Sequence, residues 1–308
     1  MPGGARCEAR GVLGAYAAAP RERGGTHRRW VTADGPFSAA CERHHMLALH
    51  SLPAEYAAWN KQWGAPNGFP FAQELLHQPN LSLEIVARLA GPFAFQSNNS
   101  TREFEYPWAY HQIDHSAPRD IIDIGGGVTG MQFVLSMLGH RVRTVDPGLA
   151  SREYQWGSRS FRHEGLNAAF ATPIEVHGCY LEEANLPPAA FDYVICISTM
   201  EHAPAPAVVS LLEAARRTLK AGGRLVATVD LFLNLAPFTS RQENEWGTNI
   251  DLGAILTKVC PPFKLVTGSR EELCGFPEFS AARVLENLER YYVGVYPCLS
   301  QCFVLEAV

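Results

Sequence analysis

The sequence predicts an α/β fold, a three-layer sandwich built on a seven-stranded, mostly parallel sheet. Residues 119–147 read as a strand, a glycine turn, a helix, a second strand and an acid, the opening unit of a doubly wound sheet. From residue 119 onward, segments of strand character alternate with segments of helical periodicity. The segment 191–198 is a nearly continuous apolar run, as expected of a strand buried on both faces.

The opening unit has the parts of a Rossmann-like nucleotide site. Gly125, Gly127 and Gly130 fit the pattern GxGxxG, and Asp146 ends the second strand. A glycine turn lets a ligand lie directly on the backbone, because no Cβ stands in the way. An acid at the tip of the second strand can bind both ribose hydroxyls. The unit therefore predicts an adenosine-containing ligand, and by itself it is compatible with a nicotinamide dinucleotide.

Asp123 lies inside the first strand, directly before the glycines. A dinucleotide places its pyrophosphate at this turn, where a carboxylate would repel it. A sulfonium amino acid carries positive charge and an ammonium group, which such an acid would attract. An NAD(P)-dependent oxidoreductase is therefore the less favoured alternative.

The other elements follow in chain order. The sequence predicts further strands at 142–145, 173–177, 191–198, 224–230, 264–267 and 302–306, and helices at 131–138, 163–170, 205–220, 251–259 and 280–291. The helix at 205–220 is expected to stop at Ala221, Gly222 and Gly223, a glycine C-terminal signal. A long polar loop is expected over 231–248, at the sheet end where α/β proteins bind substrates.

The chain before the first strand divides into two segments. Residues 1–45 hold seven arginines against four acids, which fits a disordered extension, a transit peptide or a start misassigned upstream of Met46. Residues 46–118 are expected to form a helical or lid segment, with helical stretches in 75–89 broken at Pro79. The aromatic block 102–111 suits either a lid over the ligand or a helix packed on the sheet edge. The domain proper is placed at 119–308.

Composition and charge exclude several classes of protein. The chain is 47% hydrophobic and 19% charged, typical of a globular protein, and its net charge of −5 argues against nucleic-acid binding. No apolar run approaches the roughly 18 residues of a membrane span. The eight cysteines form no CxxC pair, which favours free thiols in the cytoplasm and no metal site. The sequence leaves open whether the chain forms a homodimer.

Two further motifs add a resemblance to a known family. Residues 191–202, FDYVICISTMEH, resemble the FDxVxxxxVLEH motif of class I S-adenosylmethionine-dependent methyltransferases. Residues 219–226, LKAGGRLV, resemble their LKPGGxLV turn, with Ala221 in place of the proline. Together with IDIGGG at 122–127 and with Asp146, four motifs match in order. The resemblance covers 119–230 by motif and 231–308 by element order, and it is closest to the type 11 methyltransferases.

The resemblance implies S-adenosylmethionine as the cofactor and assigns roles to individual residues. The family pattern GDAxxLP is absent, since residues 178–187 read GCYLEEANLP, so a substitute is expected at the adenine. The implied cofactor contacts are Asp123, Gly125 and Gly127 at the methionine part, Asp146 at the ribose, Pro147 with Leu181 and Glu182 at the adenine, and Ser198 and Met200 at the end of the fourth strand.

The resemblance implies methyl transfer to an oxygen or nitrogen atom of a small molecule. Sugar metabolism and secondary metabolism are the expected pathways. His202, Asp230 or Tyr106 is expected to act as base where the acceptor must lose a proton. His202 is equally open to a packing role in its loop. Glu201, Arg241 and Asn244 are the residues expected to bind the acceptor. A non-catalytic S-adenosylmethionine-binding protein is the second alternative.

Overall fold

The computed structural model describes residues 46–308, except 151–153, 157–158 and 260–262. The expectations for residues 1–45 lie outside the described residues. Seven strands form one sheet: β1 Asp120–Ile124, β2 Arg141–Val145, β3 Glu175–His177, β4 Phe191–Ile197, β5 Leu219–Phe232, β6 Phe263–Thr267 and β7 Cys298–Ala307.

The strand order is β6-β7-β5-β4-β1-β2-β3. Strand β7 runs antiparallel to both of its neighbours, and the other pairings are parallel. The predicted seven-stranded, mostly parallel sheet is confirmed. The chain turns from one half of the sheet to the other beside β1, so the carboxyl ends of β1 and β4 border the crevice where open α/β sheets bind ligands.

Helices cover both faces of the sheet. Their bounds are α1 Ala54–Trp63, α2 Ala72–Leu76, α3 Leu83–Ala90, α4 Arg102–His111, α5 Gly130–Met137, α6 His163–Phe170, α7 Ala205–Thr218, α8 Leu252–Val259 and α9 Ala281–Glu286. Helices α1–α6 share one buried apolar cluster, and α7 and α8 share another. Along β1, Ile121 belongs to the first cluster and Ile122 to the second, because successive side chains of a strand point to opposite faces.

The aromatic block 102–111 is helix α4. Its residues from Phe104 to Ala109 are buried, and the helix contacts β4 and β5. The block is therefore a helix packed on two central strands of the sheet, and not on its edge. The gap between α2 and α3 contains Pro79, as predicted, and the Ser82 hydroxyl caps α3 by accepting a hydrogen bond from the Ile85 amide at 3.3 Å.

Several element bounds differ from those predicted. Strand β5 begins at Leu219, so the expected glycine stop is part of the strand, with Gly222 at φ +75° and a shift of register against β4. Strand β7 begins four positions before the predicted 302, because it pairs along β5 from Cys298 onward. Helix 280–291 is split into α9 and a 3-10 turn, Leu288–Arg290.

Two short hairpins were not predicted. One pairs Tyr154–Trp156 with Arg159–Phe161, and the other pairs Glu243–Asn244 with Gly247–Thr248 inside the expected polar loop. Within the described residues, no helix is both long and apolar enough to cross a membrane.

The first described residues lie along the last strand. The Cys302 amide donates to the Met46 carbonyl at 2.6 Å, and the Ala48 amide donates to the Ser300 carbonyl at 2.9 Å. The carboxylate of Glu272 accepts hydrogen bonds from the Met46 and Leu47 amides. The segment before α1 is therefore attached to β7, which lies next to β5 in the sheet.

Candidate active site

A cavity of about 470 Å³ opens at the carboxyl ends of β1 and β4. The glycine turn after β1 and the loop after β4 form one side of it. Residues 96–99 and two side chains of α4, Arg102 and Tyr106, form another side. Trp246, Val295 and Tyr296 complete the lining. The volume lies in the range of small-molecule sites.

The glycine turn keeps its backbone bare toward this cavity. Gly125 and Gly127 have φ of +66° and +56°, which residues with a Cβ rarely adopt. A Cβ on Gly126 would lie 2.2 Å from Asp123 Oδ2, and a Cβ on Gly125 would lie 2.4 Å from a methyl carbon of Thr199. Side chains are therefore excluded at both positions, and a ligand can contact the main chain directly.

Asp123 points a buried carboxylate at this turn. Its residue is 3% exposed, it lines the cavity, and its Oδ2 has no hydrogen-bond partner in the part of the chain that the structure describes. Burial, with a further contribution from the charge of Asp146, raises the pKa of Asp123 to about 8. An unpartnered buried carboxylate is costly, and a positively charged ligand group would supply the missing partner.

Asp146 closes the glycine turn from the tip of β2. Its Oδ2 accepts a hydrogen bond from the Gly127 amide at 3.0 Å, and its Oδ1 accepts one from the Gly148 amide at 2.7 Å. The side chain is partly exposed, so free lone pairs remain for ribose hydroxyls. Pro147, the next residue, is exposed.

A buried pair of side chains supports the same turn from behind. Gln132 donates from Nε2 to the Gly127 carbonyl at 3.0 Å, and His163 donates from Nε2 to Gln132 Oε1 at 2.8 Å. Burial lowers the pKa of His163 to about 4, so the ring is neutral at pH 7. Sequence reasoning missed both residues, since neither belongs to a recognised motif.

A charge cluster lies buried beneath the cavity. Arg102 forms an ion pair with Glu105 on the same helix, and its Nη1 lies 3.7 Å from Asp230 Oδ1 on β5. Ser198 Oγ lies 2.8 Å from Glu105 Oε1 and 3.2 Å from Asp230 Oδ1. Ser300 on β7 donates to Glu105 as well. The cluster ties α4, β4, β5 and β7 together at the end of the sheet that holds the cavity.

The two acids of this cluster differ in proton affinity. Burial acts to raise the pKa of Glu105, but the Arg102 charge and the serine hydrogen bonds outweigh it, so the pKa is lowered. Burial raises the pKa of Asp230 to about 6, against the opposing charge of Arg102. Sequence reasoning singled out Asp230 and Ser198 but not Arg102, Glu105 or Ser300.

Glu201 is a buried acid of a different kind. Its residue is 1% exposed, and neither carboxylate oxygen has a hydrogen-bond partner among the described residues. Burial, then the charge of Asp230, raises the pKa of Glu201 well above its ordinary value. Glu201 does not line the cavity, and neither does its buried neighbour Met200.

His202 is exposed and lines the cavity. Its Nδ1 lies 2.6 Å from the Trp246 carbonyl oxygen, which can only accept a hydrogen bond. Nδ1 therefore carries a proton, and Nε2 is the ring nitrogen left to act as an acceptor.

Tyr106 is buried in α4, and its hydroxyl donates to Asn98 Oδ1 at 2.6 Å. Burial raises the pKa of this phenol far above its ordinary value.

Trp246 and Tyr296 form a stacked ring pair beside His202. Their ring centroids are 4.9 Å apart and their planes differ by 11°. The Asn244 Oδ1 accepts from the Trp246 amide at 2.8 Å and from the Gly247 amide at 3.0 Å, which fixes the hairpin turn that carries the tryptophan. Asn244 thus lies behind the cavity wall and does not line it.

Arg241 serves the same hairpin. Its Nε donates to the Glu243 carbonyl at 2.6 Å, and its Nη2 lies 3.9 Å from Glu245 Oε2. It does not line the cavity.

The structure thus brings Asp123, Gly125, Tyr106, Ser198 and His202 to one cavity. Other predicted site residues lie outside its lining: Gly127, Asp146, Pro147, Leu181, Glu182, Met200, Glu201, Asp230, Arg241 and Asn244. Of the pair expected at the adenine, Leu181 is 2% exposed and Glu182 is exposed. Within 46–308, outside the three gaps, no group of three or more His, Cys, Asp or Glu side chains is placed to hold a metal ion.

Three solved structures show what the chain is similar to. Magnesium protoporphyrin IX methyltransferase from Synechocystis PCC 6803, with bound SAM, is 13% identical and covers 66% of this chain and 76% of its own, with a TM-score of 0.39. The 1,6-didemethyltoxoflavin-N1-methyltransferase from Burkholderia thailandensis is 16% identical over 82% of this chain and 84% of its own (TM-score 0.43). An S-adenosylmethionine-dependent methyltransferase from Mesorhizobium loti is 15% identical over 66% and 97% (TM-score 0.45).

None of the curated protein sequences compared with the chain matches it. The family described as "Methyltransferase domain" matches residues 122–227. This span holds Asp123, the glycine turn, Asp146 and the motif after β4 that carries His202. Residues 122–227 therefore match a methyltransferase domain, built on the parallel part of the sheet.

Proposed function

We propose that the enzyme transfers a methyl group to an oxygen or nitrogen atom of a small-molecule acceptor bound in the 470 Å³ cavity. One observation supports this proposal most strongly. The Asp123 carboxylate, whose Oδ2 lacks a hydrogen-bond partner among the described residues, lines the same cavity as the exposed His202 imidazole. The first suits a cationic methyl donor and the second suits an acceptor that must lose a proton. A concave site of this volume fits a small molecule rather than a protein surface.

The residues present fit S-adenosylmethionine. Its sulfonium supplies an electrophilic methyl group, and its ammonium group offers the hydrogen-bond donors that Asp123 Oδ2 lacks. The bare backbone at Gly125 and Gly127 admits the methionine part, and Asp146 has lone pairs for the ribose. Pro147, Leu181 and Glu182 are assigned to the adenine end, and Ser198 and Met200 to the end of β4.

His202 is the base best supported by its surroundings. The Trp246 carbonyl holds the proton on Nδ1, which leaves Nε2 to accept the acceptor's proton. Tyr106 is committed to Asn98, and Asp230 is held by Arg102 and Ser198. We assign these two residues to positioning the walls of the cavity.

Holding the acceptor and the methyl donor in one enclosed site would supply most of the rate enhancement, through proximity and orientation. Glu201 is assigned to packing beneath the loop that follows β4, and not to direct contact with the acceptor. Asn244 would act by holding the Trp246 turn, and Arg241 by stiffening its hairpin.

Calorimetry of the purified chain with S-adenosylmethionine and S-adenosylhomocysteine tests the cofactor assignment. Asp146→Ala is expected to lower both affinities at least tenfold, because it removes the ribose acceptor and the bond to the Gly127 amide. Glu213→Gln, on the exposed side of α7, is the matched control and should bind as the parent does. A parent chain that binds neither compound would refute the proposal.

A labelled methyl donor and a cell extract test the transfer itself. Label should enter the low-mass fraction and not the precipitated protein. His202→Asn keeps an amide donor for the Trp246 carbonyl but has no base, so the rate is expected to fall at least about 100-fold. Its affinity for S-adenosylhomocysteine should be unchanged. A rate within a few-fold of the parent would remove His202 from the mechanism.

A further inference from the structure

Resting on the proposed function, we infer that the acceptor is a planar aromatic molecule with an O–H or N–H group and without a carboxylate or phosphate. We place it against the Trp246–Tyr296 ring pair.

The ring pair is a preformed stacking surface. Both rings line the cavity, and Trp246 keeps 45% of its surface exposed although it is stacked on Tyr296. Tyr296 in turn packs beside Phe232, with ring centroids 6.0 Å apart, and its hydroxyl lies 3.5 Å from Asp230 Oδ2. A large exposed indole held this firmly offers area to a flat ligand at little entropic cost.

The stacking surface and the proposed base belong to one structural unit. The Trp246 carbonyl binds His202, and a Cβ on Gly247 would lie only 2.2 Å from the Glu201 carbonyl oxygen. The hairpin that carries Trp246 is therefore in close contact with the turn that carries His202. An acceptor stacked on the indole is thus held beside the imidazole that takes its proton.

The charges of the cavity select against an anionic acceptor. Among the described residues of its lining, Arg102 is the one arginine or lysine, and it is paired with both Glu105 and Asp230. The carboxyl group of Asp123 lines another part of the wall. A carboxylate or phosphate on the acceptor would lose its hydration without gaining an unpaired cation. A hydroxyl or ring N–H carries no such penalty.

Three probes with the same two-ring carbon skeleton test the inference on the full chain saturated with S-adenosylhomocysteine. They are 2-naphthol, its carboxylate analogue 2-naphthoate and its saturated analogue decahydro-2-naphthol. Equilibrium dialysis is expected to show 2-naphthol binding at least tenfold more tightly than either of the others. Equal affinity for the saturated analogue, tighter binding of 2-naphthoate or failure of all three probes to bind would overturn the inference.

Variants of the ring pair locate the binding. Trp246→Leu is expected to lower the 2-naphthol affinity at least fivefold, and Trp246→Phe to restore most of it. Tyr180→Leu is the matched control, since Tyr180 is 62% exposed and lies outside the cavity lining. In each variant the affinity for S-adenosylhomocysteine is measured first. A loss of the affinity for S-adenosylhomocysteine in Trp246→Leu alone would show that the indole binds the cofactor and would overturn the inference. If the parent itself does not bind S-adenosylhomocysteine, the proposed function is refuted instead.

Discussion

Asp123→Asn is expected to stabilise the folded protein while weakening cofactor binding. In the cofactor-free protein, burial raises the pKa of Asp123 from 3.8 to about 8. Between these two pH values the folded state holds a proton that the unfolded chain has released, so the free energy of unfolding falls as pH rises. At about 1.4 kcal/mol per pH unit, the interval from 3.8 to pH 7 costs at most about 4 kcal/mol.

An asparagine is neutral at every pH and avoids this cost. We expect Asp123→Asn to be about 1 to 4 kcal/mol more stable than the parent at pH 7, with the gain vanishing near pH 4. Urea denaturation at pH 4.5 and pH 7.5 measures it. Asp120→Asn is the control of opposite sign, because hydrogen bonding to Arg141 lowers the pKa of Asp120. That variant should lose stability at pH 7.5 and keep its affinity for the cofactor.

The same carboxylate should release its proton when the cationic cofactor binds. Calorimetry near pH 7 in two buffers of different ionisation enthalpy is expected to detect up to one released proton in the parent and none in Asp123→Asn. The variant should bind S-adenosylmethionine about 10- to 100-fold more weakly, because it loses the free energy of one hydrogen bond to a charged group. A variant that is less stable than the parent at pH 7.5, or that releases the same proton, would refute the reasoning.

Three further predictions concern the framework of the site. Glu105→Gln should lower the free energy of unfolding by at least about 2 kcal/mol in urea denaturation, because Arg102 loses its nearest buried counter-charge; an unchanged midpoint would contradict this. Gly130→Ala should cost about 1 to 3 kcal/mol, since a Cβ there would lie 2.4 Å from the Phe93 ring, and adding Phe93→Leu should recover part of the loss. Burial, aided by nearby positive charge, lowers the pKa of His140 to about 4. The parent should therefore lose stability as the pH falls from 6.5 toward 4, because the unfolded chain binds a proton that the folded state does not. His140→Asn should reduce this loss in urea titrations at pH 5 and pH 7.5.

Local pattern was enough to predict the parallel core of the sheet. Strands β1, β2 and β4 are short and largely buried, and the helices between them repeat with the 3.6-residue period. Pairing between distant segments is not encoded locally. Strand β5 extends to Leu219 and Phe232 as it pairs with β4 and β7, and β7 starts early for the same reason.

The proposed cofactor end of the site could be predicted from local sequence, whereas the acceptor end could not. Asp123, the glycines and Asp146 lie in one continuous stretch, so their motif predicts their proximity. The acceptor end depends on contacts such as Glu105 with Ser300, which are 195 positions apart. One local signal was present, because Glu105 stands between Phe104 and Tyr106 in an aromatic block. A charge in such a run is either exposed or paired, and here it is paired.

The attachment of the first described segment to β7 has a consequence for the order of assembly. As the chain is synthesised, the glycine turn and β1 to β5 emerge well before residues 298–307. The partners of Met46, Ala48 and Glu105 on that strand arrive last. A growing chain can therefore shape its cofactor end while the acceptor end is still incomplete. Methyl-transfer competence should appear as a late event, set by the docking of the final strand.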